Sequence, residues 1–178
     1  MSTGVCVGEI DTQDLPVVIA DAGPLIHLDE LAALDILGDF RQVLVPDTVW
    51  LEVERHRPEA LLSSNIFLCR QEVRDTAGLA DALTAMYTLH AGEREALALC
   101  LAQTKSLLLT DDTAARMAAN VVGITAHGTV GLLVRAVRRR LRSKEEVLCL
   151  LADIPRRSTL HIRPSLLAEI IREVEEKA

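Results

Sequence analysis

The sequence predicts an α/β fold: a mostly parallel central sheet covered by helices, followed by a helical C-terminal extension. Three observations lead there. Short, apolar, β-branched runs alternate with longer stretches of helical periodicity, which is the signature of successive strand-helix units joined by right-handed crossovers. Carboxylates recur at the boundaries between those runs, as at Asp21 and Asp111. Finally, 49% of the 178 residues are hydrophobic but only 2% are aromatic. Leu, Val, Ile and Ala must therefore fill the core, as in a sheet buried between layers of helices.

Val17 to Ala20 reads as the first strand, and Asp21-Ala22-Gly23-Pro24 turns the chain into a helix with proline in its first turn. Gln42 to Val45 repeats the theme, with Pro46 starting a helix that carries Val49, Trp50 and Val53 on one face. Ile66 to Cys69 reads as a third strand, and Leu79 to Leu89 as a helix ending near His90-Ala91-Gly92. Glu93 opens a helix whose Ala96 to Ala102 stretch is apolar on nearly every side, so it is expected to be buried. Ser106 to Thr110 is the next strand, Asp111-Asp112-Thr113 caps a helix through Ala114 to Asn120, and Val121 to Thr125 is the last strand. Helices follow at Thr129 to Leu141, Lys144 to Leu151 and Pro164 to Lys177, with an extended piece over Thr159 to Ile162. The expected organisation is a mobile leader over residues 1–15, one domain over 16–152, and an extension over 153–178 whose terminal helix packs on that domain.

Several function classes are excluded or disfavoured by these residues. Aromatic platforms for stacking bases are too few. No Gly-x-Gly-x-x-Gly follows a strand, and there is no P-loop, no G-x-S-x-G and no H-E-x-x-H. The first strand lacks the Asp-x-Asp of haloacid-dehalogenase phosphatases, and the acid order does not fit a response-regulator receiver. The five histidines, His27, His56, His90, His127 and His161, are read as structural or surface residues. The four cysteines, Cys6, Cys69, Cys100 and Cys149, show no C-x-x-C spacing and are expected to be buried, reduced thiols. No segment is apolar enough to span a bilayer, so the expectation is a soluble, cytoplasmic protein.

Net charge is −7, which disfavours non-specific nucleic-acid binding by the chain as a whole. Arg135, Arg138, Arg139, Arg140, Arg142 and Lys144 nevertheless form a basic run, either a solvated helix face or a strip that contacts phosphates, with Arg138, Arg139 and Arg140 as its RNA-binding candidates.

The carboxylates carry the chemistry. A single acid at a helix start is poor evidence, because free N–H groups favour it there for structural reasons. Acids on separate elements that converge at one sheet edge are different: their mutual repulsion requires protons or cations. Asp21, Glu52, Glu93 and Asp111 are the candidate catalytic set, and with Asp112 the candidate metal ligands. Glu54, two residues from Glu52, faces elsewhere. Hard oxygen ligands suit Mg²⁺ or Mn²⁺, and the matching reaction is phosphodiester hydrolysis by an activated water, with no protein nucleophile.

Five segments, in order, resemble the blocks of the PIN-domain family: Val18 to Leu28, Val45 to Val53, Gly92 to Leu99, Leu109 to Arg116, and Gly128 to Leu133. The resemblance is to the DUF3368 branch, related to the VapC toxin ribonucleases, and spans roughly Val17 to Leu151. It implies a PIN-like three-layer α/β/α fold, a Mg²⁺ or Mn²⁺ site and RNA cleavage. Asp21, Glu52, Glu93 and Asp111 match the four acids in order. Asp112, Arg116 and Thr129 are auxiliary candidates, with helix capping as the competing role for Thr129. A toxin would also imply a cognate antitoxin partner and a homodimer.

One departure stands out. Many relatives place Ser or Thr two residues after the first Asp, whereas this chain has Gly23, so a hydroxyl that can hold water or phosphate is absent. The rival reading is therefore a PIN-like protein that no longer cuts and serves as an RNA- or protein-binding partner.

Overall fold

The computed structural model describes residues 16–73 and 78–177; the leader assigned to residues 1–15, with Cys6, lies outside them. The strands are β1 (Val17–Ala20), β2 (Val43–Pro46), β3 (Leu68–Gln71), β4 (Ser106–Leu109) and β5 (Thr125–His127). They form one sheet in the order β3-β2-β1-β4-β5, every pair parallel. The helices are α1 (Ala22–Glu30), α2 (Asp47–His56), α3 (Leu79–Tyr87), α4 (Ala91–Leu101), α5 (Thr113–Val121), α6 (Thr129–Arg138), α7 (Lys144–Arg157) and α8 (Pro164–Lys177). Short 3₁₀ turns at Leu34–Asp39 and Pro58–Leu62 complete the connections.

Alternation along each strand builds two cores, one per sheet face. Val18, Ala20, Val43, Val45, Leu107 and Leu109 point to the face covered by α1, α2, α6, α7 and α8. Ile19, Leu44 and Leu108, one residue out of phase, point to the face covered by α3, α4 and α5. This is a three-layer α/β/α sandwich. In α8, Leu167 and Val174 are buried against the larger core, and the helix packs along α7.

Several boundaries shift. The helix expected over Lys144 to Leu151 runs on to Arg157, with Pro155 inside it. β3 begins at Leu68, because Phe67 points into solvent at 62% exposure, and the strand extends to Gln71. The last strand is Thr125–His127, not Val121 to Thr125: Val121 ends α5, and Gly123 takes the left-handed conformation that turns the chain. Thr159 to Ile162 pairs with no strand; its start is tied by Glu30, which accepts from the Ser158 and Thr159 hydroxyls and the Thr159 N–H. Of the three described cysteines, only Cys100 is buried, with its thiol pushed up to about 12 by that burial; Cys69 is half-buried and Cys149 exposed. No helix among the described residues is long and apolar enough to cross a membrane.

Candidate active site

The crossover after β1 runs to β2 and the crossover after β4 runs the opposite way to β5, so the sheet's switch point lies between β1 and β4, where ligands of open α/β sheets bind at the carboxyl ends of the strands. Parallel register aligns Ala20 with Leu109, which brings Asp21 beside Thr110. The Asp21 side chain is largely buried, with one donor on each oxygen: Oδ1 accepts the Ala22 N–H at 2.8 Å, capping α1, and Oδ2 accepts the Thr110 hydroxyl at 2.9 Å. The Thr110 oxygen in turn accepts the Asp112 N–H at 3.2 Å.

Glu52 comes from the second turn of α2 and is exposed, while Glu93 comes from the first turn of α4 and is half-buried. Glu93 closes a capping box, accepting the His90 N–H at 2.7 Å. Two features hold these helices together. A Cβ added at Gly92 would lie 3.1 Å from Val49 Cγ2 and 3.7 Å from both Asp21 Oδ1 and Glu52 Oε2, so the two acids face one small space over a bare backbone. Glu95, two residues past Glu93, accepts the Thr48 N–H at 3.1 Å and the Thr48 hydroxyl at 2.6 Å, capping α2, whose own N-cap is Pro46.

Repulsion inside this group is not relieved. Burial, with Glu93 and Glu52 adding negative potential, pushes Asp21 up to about 6, against the opposing hydrogen bonds from Ala22 and Thr110. Burial, with Asp112 and Glu52 adding repulsion, also raises Glu93 against the His90 N–H. Asp112 thus acts on the group through its charge while its Oδ1 caps α5 by accepting the Ala115 N–H at 2.7 Å. Among the described residues, no three carboxylate, imidazole or thiol side chains stand close enough together, as placed, to hold an ion.

Asp111 sits in a separate cradle. Its Oδ1 accepts the Thr129 N–H at 2.7 Å, and its Oδ2 accepts the Thr129 hydroxyl at 2.6 Å and His27 Nδ1–H at 2.8 Å. Thr129 is therefore not the N-cap of α6, a place taken by Gly128; the cap comes from Asp111 on another element. A Cβ at Gly128 would fall 2.6 Å from Asp111 Oδ1 and 3.3 Å from the Thr110 carbonyl oxygen, so a larger residue there must displace the Asp111 carboxylate.

The remaining candidates lie apart. Arg116 is exposed, its guanidinium makes no hydrogen bond or ion pair among the described residues, and its charge bears on His127. Arg138 is at the far end of α6, about 14 Å of helical rise from Thr129. Arg139 is exposed and bonds Asp39 through two nitrogens at 3.1 Å, while Arg138 and Arg140 are exposed and make no ion pair among the described residues. Glu54 is exposed.

Three residues that position the acids were not among the sequence candidates: Thr110, Glu95 and His27. Thr110 carried a signal, a hydroxyl closing an apolar strand immediately before two acids. Glu95 and His27 carried none, since their partners are 47 and 84 residues away.

No curated protein matches the chain. The family model DUF3368, described as a PIN domain, matches residues 17–176, and it covers the sheet, all eight helices but for the last residue of α8, and every acid of the site. The chain belongs to the PIN-domain family.

Proposed function

We propose that this protein, whose PIN fold is of the nuclease type, is a metal-dependent ribonuclease that hydrolyses RNA phosphodiester bonds at the switch-point acids. One observation carries the reading: Asp21, buried where β1 and β4 diverge, is held near a pKa of 6 with Glu93 and Glu52 pressing on it, a charge imbalance that a divalent cation would neutralise.

The donor set fits the cation. Asp21, Glu52 and Glu93 offer hard carboxylate oxygens suited to Mg²⁺ or Mn²⁺, and Mg²⁺ typically takes one or two carboxylates and keeps several waters. Three protein ligands at bonding distance are therefore not required. When bound, the cation supplies charge neutralisation on the phosphate and a water acidic enough to attack in line. Within the chain, Asp21 is oriented by Ala22 and Thr110, and Glu52 and Glu93 are aligned by the Glu95 cap between their helices. Asp112 adds negative potential, and Asp111 fixes the start of α6 beside the site. Arg116 and the Arg138 to Arg140 segment serve as outlying phosphate contacts in this reading. The role of toxin, with a cognate antitoxin and a homodimer, rests on the motif resemblance to VapC nucleases alone.

The second reading, a PIN-like binding partner without activity, draws on Gly23 and on acids that stand too far apart, as placed, to chelate. Incubation with a pool of labelled RNAs in Mn²⁺ separates the two, run beside Asp21→Asn/Asp111→Asn and an EDTA control. Cleavage by the wild type alone, lost with EDTA, is the expected result. RNA retention without cleavage, and without a Mn²⁺-induced rise in melting temperature, supports the binding partner instead.

A further inference from the structure

His27 follows Gly23 by four residues, so both occupy one face of α1, and side chains on a helix lean back over the preceding turn. The imidazole does so here. It crosses the bare backbone of Gly23, where an added Cβ would lie 3.6 Å from His27 Cε1, and its Nδ1–H reaches Asp111 Oδ2 at 2.8 Å. The same added Cβ would lie 3.4 Å from Asp111 Oδ2, so a serine hydroxyl at residue 23 would come within hydrogen-bonding reach of the oxygen that His27 now engages. The two arrangements compete for one acceptor.

We propose that His27 is a positioning residue of the site: with Gly23 it forms a two-residue substitute for a hydroxyl at residue 23, supplying from α1 the donor that holds Asp111. Asp111 then links three elements at the switch point. It follows β4, it caps α6 through the Thr129 N–H and hydroxyl, and through His27 it grips α1, the helix whose N-cap is Asp21. Without His27, that grip on α1 is lost and Oδ2 keeps only the Thr129 hydroxyl, so the turn that presents Asp21 is less firmly held. The side chains of both His27 and Asp111 are largely screened from solvent, at 15% and 14% exposure, so water replaces the lost donor poorly. This inference rests on the proposed cation site, because its readout is the affinity of that site.

The test is calorimetric titration of the full chain with Mn²⁺, comparing wild type, His27→Leu, His27→Asn and the Gly23→Ser/His27→Leu double variant. Melting temperatures without metal verify that each is folded. Partners that orient metal-binding groups typically contribute 10–100-fold in affinity, so His27→Leu is expected to weaken Mn²⁺ binding by about tenfold or more. Asn places its amide nitrogen where Nδ1 stands and is expected to restore most of the affinity, as is the serine hydroxyl in the double variant. If His27→Leu does not fold, His27→Gln takes its place; its amide lies one bond farther out, and it is expected to bind more weakly than His27→Asn. Wild-type affinity in His27→Leu overturns the proposal and leaves the cation site standing. Weakened binding that neither Asn nor Ser rescues also overturns it, since the loss would then come from packing. A wild type that takes up no Mn²⁺ removes the cation site itself, and the proposal with it, before any variant is compared.

Discussion

The two ends of α6 treat charge in opposite ways. Where the helix starts, Asp21, Glu52 and Glu93 stand near one another with hydrogen-bond donors but no cation, and both Asp21 and Glu93 are harder to ionise than in water. Where it ends, opposite charges are matched. Arg135 pairs with Asp39 at 2.6 Å and lies 4.5 Å over the Phe40 ring, Arg139 shares Asp39, and Arg142 bonds Asp35 at 2.6 and 2.7 Å. Burial opposes ionisation of Asp39 as well, yet Arg139 and Arg135 hold its carboxyl below the usual range. Charge density alone does not distinguish a site from scaffolding. The discriminating property is whether the protein compensates charges it takes out of water: the acidic end leaves them unmet, whereas at the basic end the arginines without an ion pair among the described residues, Arg138 and Arg140, are exposed.

The comparison is broken most directly at Asp21. Asp21→Asn keeps the shape and removes the charge, so RNA cleavage is expected to fall by more than about 100-fold, beyond the loss from a supporting partner. The same variant is expected to be more stable than wild type by about 1–3 kcal/mol at pH 7, measured by urea denaturation. Lower stability would place Asp21 with the compensated acids.

The pH profile sharpens the same point. Asp21 titrates at about 6 in the folded chain against an ordinary value of 3.8, so between those limits the folded state binds more protons than the unfolded. Its contribution to stability is therefore lost as pH rises from about 4 to 6, roughly 3 kcal/mol in all, whereas acids with depressed values such as Asp39 act in the reverse direction. Subtracting the urea-derived stability of Asp21→Asn from that of wild type at each pH isolates it. A flat difference would show that Asp21 is not held up by its neighbours.

At the compensated end the effects are smaller. Asp39→Ala leaves Arg135 and Arg139 without their shared acceptor and is expected to lower stability by about 1 kcal/mol, with Mn²⁺ affinity unchanged. Smallest of all, Arg138→Ala/Arg140→Ala is expected to leave turnover intact and reduce the salt dependence of RNA binding by about one unit of slope per lost phosphate contact, while Arg139→Ala does less because Asp39 already occupies it. An equal effect of Arg139→Ala would show that the pairing with Asp39 does not withhold Arg139 from RNA.

Much of this was legible in the sequence, because strand-helix alternation encodes the layers locally and the acids fall at element boundaries. What was not legible depended on distance or on a single side chain. β3 and β5 slid because Phe67 and Val121 are apolar but exposed, and periodicity cannot tell an exposed apolar residue from a buried one. Which arginines of the basic run are paired could not be read, because Asp35 and Asp39, the partners of Arg142 and of Arg135 and Arg139, lie about a hundred residues earlier in the chain. Neighbouring Asp111 and Asp112 were indistinguishable as letters, yet one faces Thr129 and His27 while the other caps α5 and presses on Glu93.

Gly92 imposes an order on how this protein can change. A Cβ there stands 3.1 Å from Val49 Cγ2, so Gly92→Ala requires that methyl to give by a few tenths of an ångström, while the two acid oxygens at 3.7 Å are in ordinary contact. Val49→Ala first, then Gly92→Ala, is the easier order. The pair thus couples epistatically across the seam of α2 and α4, and a mutational library of this chain should recover alanine at 92 more often on backgrounds already trimmed at 49.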